Sequence, residues 1–209
     1  MNKRRYAIRG RGQCDPARLI RHSPQTEILR HRNGETADII ETILYMDAHS
    51  SRWIMSENVD CLRGATDYDT LHNVWQFVKR NLRYRADKIG HERVKSPGAS
   101  YASREGDCKS FSIAEGALLR TLGIPYKYRF AAYEPGDFTH VYVVALLDGQ
   151  EVVLDSVHSK FDEEVRPYKK KDIRPARVSG IGEPPPANST AKPWGQYFVI
   201  GFFMYLIFK

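Results

Sequence analysis

The stretch Gly106-Asp107-Cys108-Lys109-Ser110-Phe111, running on to Leu118-Leu119-Arg120-Thr121-Leu122-Gly123-Ile124-Pro125, decides how this chain of 209 residues is read. Phe111, Ala114, Leu118, Leu119 and Leu122 recur at helical spacing, and Gly123 with Pro125 ends the run. Asp107 is a good N-cap type and Gly106 permits a tight approach, so the expected helix opens at a cysteine. A helix N-terminus beside an imidazole turns a thiol into a competent nucleophile, and its free amide donors also face a developing oxyanion. Cys108 is therefore a candidate nucleophile, weighed against the plainer reading of a buried structural cysteine.

Working outward toward the C-terminus, the period changes to two. Tyr126, Tyr128, Phe130 and Ala132 alternate with Lys127, Arg129 and Ala131, which predicts a strand with one buried face. Glu134-Pro135-Gly136-Asp137 supplies a turn, His140 to Leu147 is an almost unbroken apolar strand, and Asp148-Gly149 signals a hairpin returning through Glu151 to Leu154. An antiparallel pair sets the start of one strand beside the end of the other, so His140 and Asp155 are expected neighbours. With the cysteine helix packed on this sheet, Cys108 reaches one imidazole nitrogen while Asp155 holds the other, as triad chemistry requires.

These residues resemble the transglutaminase-like superfamily, related to papain-like cysteine peptidases. The resemblance covers roughly 65 to 160 and rests on the Gly106-Asp107-Cys108 step, the Leu122-Gly123-Ile124-Pro125 helix end, Thr139-His140-Val141-Tyr142-Val143, and Gly149 through Leu154-Asp155. It implies an α+β fold with helices packed on a small antiparallel sheet. It also implies Cys108 as nucleophile, His140 as general base then acid, and Asp155 as orienter, with no metal or organic cofactor. The implied reaction is acyl transfer at a peptide or carboxamide bond, hydrolytic in small bacterial or phage relatives, with crosslinking or a non-catalytic scaffold as alternatives. For the second oxyanion donor, the 91 to 104 stretch offers His91, Ser96, Ser100, Tyr101 and Arg104, without the glutamine or tryptophan that relatives often carry.

Toward the N-terminus, Ile39, Ile40, Ile43, Leu44 and Met46 predict an amphipathic helix that can run on to Trp53 and Ile54. A second helix starts near Thr66-Asp67, carries Leu71, Val74, Trp75 and Val78 on one face, and ends around Asn81. Periodicity then lapses, so 83 to 106 reads as a long connection. The expected organisation is a basic arm over 1–34, a catalytic domain over 35–160, a charged, Pro-rich linker over 161–193 with Pro184-Pro185-Pro186 as spacer, and an apolar segment over 194–209. Tyr197 to Phe208 is short for a membrane span of about 20 residues and reads as a membrane or partner contact.

The remaining signals are bland. Hydrophobic residues at 42% exclude a wholly disordered or fibrous chain. The excess of Lys+Arg 32 over Asp+Glu 25 gathers at Lys3-Arg4-Arg5 and Lys169-Lys170-Lys171, yet no nucleic-acid module accompanies it, so the expected partner is a protein or peptide substrate. Cys14, Cys61 and Cys108 read as too scattered for a disulfide framework, which points to a reducing, cytoplasmic setting. His72 reads as a helix-surface residue, His158 as a bystander near Asp155, and Asp87, His91 and Glu92 as a solvated loop rather than a metal cluster.

Overall fold

The computed structural model describes residues 14–22, 28–32, 35–88 and 91–176, with backbone alone for 28–32. Lys3 to Arg5, the Pro184 spacer and Tyr197 to Phe208 lie outside the described residues, and with them the expectations attached to them. In chain order the elements are α1 (Pro16–Leu19), β1 (Ile28–Arg32), α2 (Thr36–Ala48), α3 (Asp67–Asn81), β2 (Arg83–Tyr84), β3 (His91–Lys95), α4 (Pro97–Ser103), β4 (Glu105–Gly106), α5 (Cys108–Leu122), β5 (Tyr126–Ala132), β6 (His140–Leu147), β7 (Gln150–Leu154) and β8 (Lys169–Ile173). Two 3₁₀ turns, Ser50–Arg52 and Ser56–Leu62, separate α2 from α3.

The main sheet is antiparallel throughout, in the order β7-β6-β5-β8. Asp148 and Gly149 both take positive φ (47° and 77°), the backbone that a tight hairpin between right-twisted strands demands. Helix α5 packs on β5 and β6, with α2, α3 and α4 against its remaining sides. Every residue from Cys108 to Leu119 is consequently buried, so α5 is a central helix rather than a one-faced surface one.

Asp47 joins α2 to this centre. It is fully buried and accepts hydrogen bonds from Arg120 (Nε at 3.0 Å), from the Tyr128 hydroxyl at 2.8 Å and from Tyr126. Tyr128 reaches it because Gly116 has no side chain: a Cβ there would stand 2.1 Å from the Tyr128 hydroxyl. Gly116→Ala is expected to destabilise the fold by about 2 kcal/mol through overpacking, measured by urea unfolding. A loss near zero would show that Tyr128 yields freely.

The structure differs from the sequence expectations in several places. Strand β5 is buried on both faces. Tyr126, Tyr128 and Phe130 join the core, while Arg129 on the other face is satisfied by Asp172 (2.7 Å), Glu164 (2.6 Å) and Glu151 (2.8 Å). The carboxylates come from distant segments, so local alternation gave no sign of them.

Residues 161–176 are part of the folded unit rather than the start of a linker. Asp162 bonds back to Val153, and β8 pairs along β5 from Tyr128↔Ile173 to Ala132↔Lys169. The basic run Lys169-Lys170-Lys171 is thus an edge strand.

Residues 14–22 and 28–32 are likewise no free arm. Asp15 caps α1, Leu19 and Ile20 are buried, Ile20 bridges Ile54, and β1 pairs with β3. Cys14 and Cys61 form a disulfide across 47 residues. That corrects the reading of the cysteines as too scattered to pair.

Finally, α2 stops at Ala48, with Trp53 and Ile54 buried after a 3₁₀ turn, and the 83–106 connection contains β2, β3, α4 and β4. These elements are too short for periodicity to register.

Candidate active site

The cysteine is positioned by its cap. The Asp107 carboxylate accepts the Ser110 N–H at 3.1 Å, which starts α5 at Cys108 and leaves the first-turn amides aimed outward. Strand β4, paired with β2, leads directly into that cap. Gly106 is required there, since a Cβ would fall 2.5 Å from that of Ser110. Cys108 is the free cysteine among the described residues, and although buried it lines a cleft of about 750 Å³.

The hairpin brings the other two residues together as expected. His140 opens β6, Asp155 follows β7, and the imidazole Nε2 lies 2.7 Å from Asp155 Oδ2. The second carboxylate oxygen, Oδ1, accepts the Val157 N–H at 3.1 Å, which fixes the plane of the group. Burial pulls the His140 pKa down, but hydrogen bonds and charge from Asp155 and Cys108 outweigh it and push it up to about 10. At neutral pH the ring is an imidazolium held by the Asp155 carboxylate, in the cleft that Cys108 also lines.

The cleft runs between the start of α2 and the β5–β6 turn, over Phe130 and Phe138. Two exposed tyrosines, Tyr84 and Tyr133, feel the charge of Cys108. Burial, followed by the charge of Cys108, raises the Tyr84 phenol, and Tyr133 has its ring 6.2 Å from that of His140. Sequence reading missed both, because neither belongs to a periodic pattern.

Beside the nucleophile, Lys109 sinks its ammonium among three carboxylates: Glu92 at 2.6 Å, Asp87 at 3.4 Å, and Asp107. Arg93 also holds Asp87, with its Nε at 2.7 Å. Desolvation alone would lower the Lys109 pKa, yet the surrounding negative charge, Asp107 foremost, raises it. This replaces the expected solvated loop of Asp87, His91 and Glu92: the Asp87 side chain is 8% exposed, and His91 stands outside the cluster. Asp87, Glu92 and Asp107 are the metal-capable grouping among the described residues, and the Lys109 ammonium sits between them.

The other named residues have structural places. Ser96 caps α4, Ser100 is buried, and Tyr101 stacks on Phe77, so these three serve the fold around α4. Arg104 closes α4 in a left-handed conformation (φ 53°). His72 is buried rather than on the surface, stacked on Trp75 and edge-on to Phe161, because the segment after β7 covers α3. The His158 ring faces the Lys160 N–H.

Residues 60–155 match the model of the transglutaminase-like superfamily, a span that begins just before α3 and closes on Asp155. No curated protein matches the chain. Among solved structures, calcium-bound LapG of Legionella pneumophila aligns with a TM-score of 0.46 at 19% identity, over 66% of this chain and 90% of its own. A candidate cysteine protease of Cytophaga hutchinsonii aligns with a TM-score of 0.41 at 20% identity, over 62% of this chain and 48% of its own. The chain therefore spans about half of that protein's length.

Proposed function

We propose that the chain is a cysteine peptidase or amidase working through Cys108, His140 and Asp155, a reading that the match of residues 60–155 to the transglutaminase-like superfamily supports. The observation that carries the reading is the 2.7 Å contact of His140 with Asp155, with Cys108 and His140 lining the same cleft. Cys108 Sγ, its proton already ceded to His140, attacks the carbonyl carbon of a peptide or carboxamide in the cleft. The tetrahedral oxyanion meets the Cys108 backbone N–H. His140 then protonates the leaving amine as the C–N bond breaks, and a thioester remains. Water, deprotonated by His140, cleaves the thioester and releases the acid. Asp155 keeps one ring nitrogen occupied and stabilises the imidazolium at each stage.

Mass spectrometry of a peptide library incubated with the wild type and with Cys108→Ala, with and without an added amine, tests this. Cleavage or deamidation by the wild type alone, unaffected by the amine, is expected. Amine incorporation in place of hydrolysis would make the chain a crosslinking enzyme instead. Products that persist with Cys108→Ala would remove the thiol from the chemistry.

A further inference from the structure

Helix α5 carries more than the thiol. Its next two inward polar residues lie one and two turns beyond Cys108, and each is bonded to the residue that follows one of the other two members of the site. The Ser112 hydroxyl lies 2.9 Å from the Val141 carbonyl oxygen, next to His140, and 2.8 Å from that of Cys108. The Glu115 carboxyl is bonded to the Ser156 hydroxyl, next to Asp155. The Ser156 hydroxyl in turn donates to the Trp75 carbonyl at 3.1 Å, and the Trp75 indole N–H donates to the Asp155 carbonyl at 2.9 Å. We infer that α5 holds His140 and Asp155 in register with Cys108 through Ser112 and Glu115, and that Glu115 is a positioning residue for Asp155. The inference rests on the reading of Cys108, His140 and Asp155 as the reacting set.

Hydrogen-bond accounting defines the protonation of the clamp. The Ser156 hydroxyl has one proton, which goes to the Trp75 carbonyl, so the bond to Glu115 needs a proton from the carboxyl. Glu115 is fully buried, and that burial drives its pKa well above the ordinary carboxyl range. The groups facing it agree. Asp155 at the end of β7 adds a negative charge, which outweighs the opposing His140 on β6, while Tyr101 on α4 is buried and uncharged. Its second oxygen, Oε2, has no hydrogen-bond partner, as expected of a neutral acid rather than a carboxylate. A raised carboxyl pKa favours the fold below the unfolded value near 4.5 and loses that advantage as pH rises toward the folded value.

NMR titration of His140 in the full chain labelled with ¹⁵N-histidine tests the clamp, with the signal assigned by its loss in His140→Gln. The wild type and Glu115→Gln are expected to titrate near 10, because the amide keeps both a donor and an acceptor. Glu115→Leu and Ser156→Ala, which break the bond from opposite sides, should lower the midpoint by roughly one pH unit or more as Asp155 loosens. Glu115→Gln should also raise Tm over the wild type at pH 8 and not at pH 4. A folded Glu115→Leu or Ser156→Ala with an unmoved His140 midpoint would overturn the inference, as would Glu115→Gln behaving like Glu115→Leu. The titration consumes no substrate, so failure to cleave any peptide would count against the proposed activity and not against the clamp.

Discussion

Iodoacetamide at pH 6 is expected to alkylate Cys108 of the unreduced protein on the order of 100-fold faster than Cys108 of His140→Ala. An ordinary thiol with a pKa of about 8.5 is only ~0.3% thiolate at that pH, and the thiolate is the reacting species. His140 keeps its proton up to about 10, so throughout the acidic and neutral range a positive charge stands beside the sulfur. Removing the ring removes that charge and the proton acceptor together. Asp155→Asn should fall between the two, because the asparagine amide cannot balance an imidazolium. The measurement is clean because Cys14 and Cys61 are joined, which leaves Cys108 as the thiol to label. Intact mass on a time course reads the rate, and Cys108→Ala should take up nothing. Equal rates in wild type and His140→Ala would mean that the imidazole does not activate the sulfur, and the peptidase reading would fail with it.

Lys109→Met is expected to cost about 3–5 kcal/mol of stability, the range for removing one partner of a buried ion pair. The ammonium is 9% exposed, and the side chains of Asp87 and Asp107 are 8% and 5% exposed, so water cannot take its place as a counter-charge. Arg93 would still hold Asp87, but Asp107 would lose its ion-pair partner with Asp87 and Glu92 beside it. Asp107 is also the cap that starts α5, so the strain falls on the turn that presents Cys108. Urea unfolding monitored by circular dichroism measures the loss. Lys160→Met provides the contrast: its pairing with Glu163 is at the surface, 71% exposed on the lysine side, and a change within about 0.5 kcal/mol is expected. A loss for Lys109→Met as small as that of Lys160→Met would show that solvent screens the cluster.

Much of the site was legible before any coordinates because each of its three residues sits at an end of a regular element. Asp107 before an apolar run of period 3.6 marks where α5 begins, and Asp148-Gly149 sets the hairpin register that makes His140 and Asp155 meet. Those signals are local, and local backbone preference is what a sequence window records. The neighbours that tune the site were hidden for the opposite reason. Tyr84 lies on a two-residue strand, Lys109 looks like an exposed residue of a helix first turn, and Glu115 interrupts an apolar face as any surface glutamate would. Their roles come from groups that fold onto them from β3, β7 and α4.

The N-terminal stretch makes the same point about the fold. Leu19 and Ile20 stand among Asp, Pro and Arg with no repeating pattern, and they become core only because the Cys14–Cys61 bond and the Ile20–Ile54 bridge lay them against the turns after α2. Lys169 to Ile173 looks like a solvated basic run, yet it completes the sheet because Asp172 meets Lys127 and Arg129 across the pairing with β5.

By itself, the sequence determined where α3, α5 and the β6–β7 hairpin lie and that a cysteine, a histidine and an aspartate occupy their ends, since capping, periodicity and turn chemistry act over a few residues. Only the tertiary structure decided that α5 is buried on every side, that Lys109 and Glu115 face charges and hydroxyls rather than water, and that residues 14–22, 28–32 and 161–176 belong to the folded unit. Burial, ion pairing and disulfide closure depend on which distant segments arrive, and no short window of sequence carries that information.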